Sequence, residues 1–159
     1  MVCVQQEDDI EVLYTMINKT FERQSRRNLY SKETIEKIDK YLKEKNSRVC
    51  LSAIDENGKY HAATYFVYDE KRCYYLMSGG DPELRNSGAT SLLIWEGIKF
   101  ASEHSLEFDF EGSMIEDIER FVRAWGAQPK IYFHITKYKG IYRIIQSLKP
   151  TIKKILRYK

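Results

Sequence analysis

The sequence has no apolar run of the length needed to span a bilayer, and its opening, Met1-Val2-Cys3-Val4-Gln5-Gln6-Glu7, is too short and too polar for a signal peptide. These two absences set the expectation of a cytoplasmic protein. Low-complexity segments and internal repeats are missing as well. What remains is one globular domain of ordinary size: 159 residues, 43% hydrophobic and 13% aromatic, enough for a real core. Cys3, Cys50 and Cys73 are odd in number and far apart, without the spacing of a metal site. Cys50 and Cys73 fall inside expected strands, where a small buried thiol is the plain explanation. Only three histidines are present, scattered as His61, His104 and His134, which argues against a catalytic metal. The last deficit is of negative charge. After Glu119 there is no acidic residue, while that stretch carries 11 of the 26 Lys and Arg. Such asymmetry predicts that the C-terminal end meets something acidic.

The patterning predicts an α/β (α+β) domain with a mixed, mostly antiparallel sheet flanked by helices. Val2 to Gln5 reads as a first strand. Asp8-Asp9-Ile10-Glu11 offers a capping-box-like helix start, and Ile10, Leu13, Tyr14, Ile17 and Phe21 follow on one face. Ser31 caps a second helix through Ile35, Ile38 and Leu42. Strands over 48–54, 59–68 and 72–77 then make a meander, its first turn marked by Asn57-Gly58. A helix from about Gly88 carries a wide apolar surface, within which Gly97 is placed to permit close approach to a strand. A strand over 106–111 follows, then a Ser113–Glu116 capping box, a helix through Trp125, and a last strand from Lys130 to Thr136. The order is β-αα-βββ-α-β-α-β. A basic helical tail closes the chain, interrupted at Pro150.

The stretch Tyr74 to Gly112 draws these elements together. A strand ends in Gly79-Gly80, a loop follows, a helix opens on a glycine, and a second strand returns. Helix N-termini carry free N–H groups and favour negative charge. Arg85-Asn86-Ser87-Gly88-Ala89-Thr90 places a cation three residues before that glycine, an order that suits a phosphate lying across the backbone. Asp81 and Glu83 in the same loop would repel phosphates unless turned away, and Arg85 is the one obvious compensation. In Phe108-Asp109-Phe110-Glu111 the rings share one side and the carboxylates the other. Either carboxylate suits proton removal from an ammonium, and Asp109 equally suits holding neighbouring backbone N–H groups. Tyr132 and His134 share a side of the last strand and are candidate acid or base. His61 and His104 read as peripheral.

Arg85-x-x-Gly88-x-Thr90 resembles the acyl-CoA pyrophosphate loop of the GNAT N-acyltransferase superfamily. The words around it, GGDPELRNSGATSLLIWEGIKFA and FDFEGS, look most like the Fem-type peptidoglycan aminoacyltransferases and their GNAT-like bacterial relatives. The resemblance covers residues 2 to 140 and implies a GNAT-like domain over 1–138, with 139–159 as a basic amphipathic extension. By resemblance, Leu76, Met77 and Ser78 would hold the pantetheine arm and thioester, while Arg85, Ser87, Gly88, Ala89 and Thr90 would hold the phosphates. Glu111, Asp109, Tyr132 or His134 would handle protons, a tyrosine commonly protonating the leaving thiolate. The implied activity is transfer of an acyl group, acetyl first among them, from acyl-CoA to an amine acceptor, without a metal. Fem-type transfer from aminoacyl-tRNA to a cell-wall precursor, and a non-catalytic binding domain, stand as alternatives. The tail, with Lys139, Arg143, Lys149, Lys153, Lys154 and Arg157 among isoleucines and leucines, suits an acidic membrane surface, tRNA phosphates, or a docked helix with a lysine-rich outer face.

Overall fold

A computed structural model describes residues 1–104, 106–133, 135–137, 139 and 140. The chain forms two compact units, Met1–Ala127 and Gln128–Lys159. All described helices and strands belong to the first: β1 (Val2–Gln6), α1 (Glu11–Arg23), α2 (Lys32–Glu44), β2 (Arg48–Asp55), β3 (Tyr60–Tyr68), β4 (Arg72–Gly80), α3 (Ala89–Glu103), β5 (Glu107–Asp109) and α4 (Glu116–Arg123). The sheet runs β1-β2-β3-β4-β5, antiparallel except for the β4–β5 pair, which is parallel. The α/β class and the mixed sheet are as expected. No described helix is long and apolar enough to cross a membrane.

Period-two alternation divides the core into two layers. Val49, Leu51, Ala53, Ala62 and Phe66 pack with Ala89, Leu93 and Ala101 of α3. Cys50, Ala63 and Tyr65 point the other way, against Ile10, Leu13, Met16 and Ile17 around α1 and Ile35 of α2. β2 and β3 are therefore buried on both faces. Cys50 and Cys73 are packed inside, and burial pushes their thiols up to about 12 and about 11. Gly97 does meet a strand: a Cβ there would lie 2.4 Å from Cζ of Phe66.

One polar cluster ties the α1/α2 layer together. Arg48 Nε lies 3.1 Å from Asp39 Oδ1, its Nη1 donates to the Glu7 carbonyl at 2.8 Å, and its Nη2 donates to the Asp8 carbonyl. Tyr65 donates its hydroxyl to the same Asp39 oxygen at 2.8 Å. Burial, with Asp39 beside it, holds the Tyr65 phenol well above its ordinary value.

Some local expectations fail where a shorter side-chain loop replaces the capping box or where no surface packs on a strand. The helix at Glu11 starts after Ile10 rather than in a capping box; Asp9 Oδ1 instead accepts the Glu11 N–H at 2.9 Å. The Ser113–Glu116 box is likewise absent, and Ser113 Oγ accepts from Ile115 N at 3.1 Å. Ser31 does cap α2, accepting from Thr34 N. The described residues of 130–136 form no strand. A pleated segment persists where a neighbouring strand or a packed face holds it, and here Ile131, Tyr132, Phe133 and Ile135 are all exposed. His134 and residues 141–159, with the expected basic helix, lie outside the described residues.

Candidate active-site cleft

The sheet opens between its two parallel strands. β5 pairs only with Arg72, Cys73 and Tyr74, whereas β4 runs on to Gly80. β4 also bulges: Tyr65 faces Met77 and Phe66 faces Tyr75, which leaves Leu76 as the extra residue. A bulge bends its strand and re-aims the neighbouring groups. The rings of Phe66, Tyr75, Phe108 and Phe110 pack at the fork, with Phe108 and Phe110 centred 4.8 Å apart on one side, as their alternation predicted. Tyr75 donates its hydroxyl to Ser78 Oγ at 2.6 Å and so fixes that side chain. Burial raises the Tyr75 phenol above its usual value.

Gly79 and Gly80 are strand residues, so β4 runs past the bound of 77 expected for it. A Cβ on Gly79 would lie 2.2 Å from the Met16 carbonyl carbon, so glycine is there to let α1 lie directly on β4. Gly80 donates its N–H to Thr20 Oγ1 of α1 at 3.0 Å. The chain then passes through a short 3-10 turn, Arg85–Ser87, to Gly88, whose φ of 74° lies in the left-handed region that favours glycine. α3 begins immediately after; Gly88 supplies no side-chain cap, and the first N–H, that of Ala89, donates to Ser87 Oγ at 3.4 Å. The start of a helix favours negative charge.

A cleft of about 520 Å³ lies at this end of β4. It gathers Ser78, Arg85, Ser87, Ala89 and Thr90 of the expected site residues. It also gathers Thr20 and Arg23 of α1, His61 of β3, and Asp117 and Phe121 of α4, which the sequence reading did not place there. Leu76, Met77 and Gly88 flank this set along the chain without lining the cleft. The acidic loop does not oppose an anion as expected. Asp81 is buried and turned onto Lys19, Oδ2 to Nζ 2.6 Å, while its Oδ1 accepts the Glu83 N–H. Glu83 is exposed and lies 3.7 Å from Lys59.

The hydrogen bond from Lys19 holds the Asp81 carboxyl below the ordinary carboxylate range. Its contribution to stability is thus complete above the unfolded value near ~3.9 and is lost as pH falls through the lowered one. We expect Asp81→Asn to lower the thermal midpoint at neutral pH, and its gap from wild type to close below about pH 4. A gap that persists unchanged at acid pH would show that the pair with Lys19 is not what the carboxylate provides.

His61 is not peripheral. The β2–β3 register shifts between Ala53 and Ile54, leaving His61 as the bulged residue, buried at the cleft wall. Its Nε2 is 3.2 Å from Asp55 Oδ2, and Asp55 Oδ1 also accepts the Asn57 and Lys59 N–H groups. Those hydrogen bonds, the backbone one from Lys59 foremost, hold the Asp55 carboxyl low.

The proton-handling candidates are more dispersed. β5 ends at Asp109, whose Oδ1 accepts the Glu111 N–H at 2.8 Å, one of the two roles left open for it. Glu111 stands past the strand in the left-handed region, φ 60°, and is exposed. Neither carboxylate lines the cleft. Tyr132, exposed, belongs to the second unit. No three His, Cys, Asp or Glu side chains come together as a metal site among the described residues.

The site is thus a sheet forked between parallel strands, with a glycine-led helix N-terminus beyond the fork. The family model described as an acetyltransferase (GNAT) domain matches residues 1–128. The chain belongs to that family. The match is to the acetyltransferase domain at large and does not single out the Fem-type branch. Solved structures with the same fold include aminoglycoside antibiotic 6'-N-acetyltransferase AAC(6')-Ih of Acinetobacter baumannii, with 12% identity and TM-score 0.62, covering 88% of this chain and 100% of that one. Glucosamine-6-phosphate N-acetyltransferase of Arabidopsis thaliana has 11% identity and TM-score 0.61 over 88% and 99% of the two chains. A predicted acetyltransferase of Clostridium acetobutylicum, solved with acetyl-CoA, has 13% identity and TM-score 0.61 over 86% and 96%. No curated protein matches the chain in sequence.

Proposed function

We propose that the protein transfers an acyl group, acetyl first among them, from acyl-CoA to an amine. The observation that carries this reading is the convergence of Ser78, Arg85, Ser87, Ala89 and Thr90 on one cleft, at the start of α3 and the end of the bulged strand β4. In this reading the backbone of Leu76, Met77 and Ser78 holds the pantetheine arm. The turn from Arg85 to Thr90 holds the pyrophosphate. The amine nitrogen attacks the thioester carbon, the carbon–sulfur bond breaks, a base takes the ammonium proton, and the thiolate regains one. Glu111 and Asp109 from the β5 end, and Tyr132 and His134 from the second unit, remain the candidates for these proton transfers.

The donor reading gains from the fate of the acidic loop. Its negative charge would repel a coenzyme A phosphate, and Asp81 is paired with Lys19. Two of the neighbours are named for aminoglycoside and glucosamine phosphate acetylation, so an acceptor screen begins with amino sugars.

Calorimetry with coenzyme A and acetyl-CoA tests the reading. We expect both to bind, and Arg85→Ala to weaken binding about tenfold, the effect of losing one charge-assisted contact to phosphate. Wild-type protein that takes up neither ligand at millimolar concentration sinks the proposal.

A further inference from the structure

The cleft is lined by the C-terminal end of α1 as well as by the Arg85 loop, and that end carries an arginine of its own. Arg23 lines the cleft in the last turn of α1, two residues before Ser25. Arg26 and Arg27 follow it, both exposed. Among the described residues no carboxylate lies within ion-pair distance of any of the three, nor of Arg85, and two acids of the region are engaged. Asp81 is held by Lys19 and Asp55 by His61 and two backbone N–H groups. Asp117 is the remaining carboxylate of the cleft wall.

The turn bearing these arginines is built rather than loose. Ser25 adopts φ 53°, a left-handed conformation that a side chain bears only under constraint. Three backbone bonds close the turn: Gln24 and Arg26 donate to the Phe21 carbonyl at 3.0 and 2.9 Å, and Ser25 to that of Glu22 at 2.8 Å. Asn28 then pins the loop to the helix, donating from Nδ2 to Asn18 Oδ1 at 2.8 Å and accepting the Tyr30 N–H at 2.9 Å. A closed turn fixes where Arg23 leaves the backbone. Guanidinium is the side chain whose planar fork matches two oxygens of a phosphate.

We infer that Arg23 is a specificity residue that reads a phosphomonoester in the same cleft as the pyrophosphate turn, with Arg26 and Arg27 adding to the local positive potential. This rests on the acyl-CoA reading above and goes beyond it, because a pyrophosphate at the α3 N-terminus needs only the Arg85 side. The phosphomonoester has two possible sources, the 3'-phosphate of the donor or a phosphorylated amine acceptor. The plain competing explanation is a solvated arginine at a helix C-terminus, where a cation offsets the dipole. That role predicts no ligand selectivity.

The experiment compares coenzyme A with dephospho-coenzyme A by calorimetry on the full chain, wild type and Arg23→Ala. Turnover of an amino sugar with and without a phosphate is followed in parallel. If the donor is the source, wild type prefers coenzyme A by about tenfold and Arg23→Ala loses that preference while its affinity for dephospho-coenzyme A changes less than about twofold. If the acceptor is the source, both donors bind alike. Arg23→Ala then raises KM for the phosphorylated sugar alone, with kcat held. Arg23→Lys, which keeps charge without the fork, should recover only part of either effect. Equal binding of both donors by both proteins, with no preference for a phosphorylated acceptor, overturns the inference and leaves the transferase reading standing. Wild-type protein that binds no coenzyme A at all takes down both. Arg23 is exposed, so an unchanged thermal midpoint in Arg23→Ala shows that ligand effects are not unfolding.

Discussion

Asp39→Ala is expected to destabilise the protein by about 3–5 kcal/mol, the usual result of breaking a buried ion pair from one side. The side chain of Arg48 is 4% exposed and that of Asp39 11%, so solvent screens this pair little. Alanine would leave the guanidinium charged and dry, with only the Glu7 and Asp8 carbonyls as partners. It would also strip the Tyr65 hydroxyl of its acceptor, a further loss of about 1 kcal/mol. Asp39→Asn keeps an oxygen for Tyr65 but not the charge, and should fall between alanine and wild type. The pairwise replacement Asp39→Leu with Arg48→Met should cost less than Asp39→Ala alone, because no orphaned charge remains. Urea unfolding of the four proteins measures this. A loss below about 1 kcal/mol for Asp39→Ala would mean that the two carbonyls suffice to hold Arg48. The cluster matters to the site because Arg48 clamps the turn that launches α1, and the far end of α1 forms one wall of the cleft.

Much of the fold follows from local rules. β2 and β3 are legible in their apolar runs, and residues 49–53 and 62–66 are buried on both faces of the sheet. Asn57-Gly58 turns where its backbone preference says it should, with Gly58 at φ 77°. Ser31 caps α2, and Gly97 meets Phe66. The order strand, turn and helix at the candidate site is legible too, because glycine at position 88 marks where the turn ends and α3 begins. What escaped depends on partners distant in sequence. Nothing in Asp81 announces Lys19, 62 positions away. His61 reaches the cleft because a bulge displaces it from the regular alternation, and a single slip of register reverses a side chain's face. The capping box at Ser113 matched its pattern, yet Ser113 closes a shorter loop onto Ile115. The strand expected at Lys130–Thr136 had the right alternation, but alternation describes a strand only when some surface buries one of its faces.

Gly79 is a contact between α1 and β4, and Gly79→Ala should show this in both stability and ligand binding. The added Cβ would stand 2.2 Å from the Met16 carbonyl carbon, 2.3 Å from Ile17 N and 2.4 Å from Met16 O. These are backbone atoms of a helix, so no side chain can swing aside. α1 must retreat from β4 by roughly 1 Å to restore ordinary contact distances. Overpacking of this kind costs about 1–3 kcal/mol, and the upper end is expected when the obstacle is main chain. The retreat also strains the two links that set the cleft wall, Lys19 to Asp81 at 2.6 Å and Gly80 N–H to Thr20 at 3.0 Å. Coenzyme A affinity should therefore fall by about tenfold in protein that is still folded, since a displacement of this size removes well-aligned polar contacts. Gly88→Ala is the contrast. Nothing lies within 4 Å of a Cβ there, so only the φ of 74° opposes it, at about 1 kcal/mol. If Gly79→Ala proved the milder of the two in thermal midpoint, α1 would not be seated on β4 through this glycine, and the wall carrying Thr20 and Arg23 would have to be held by something else.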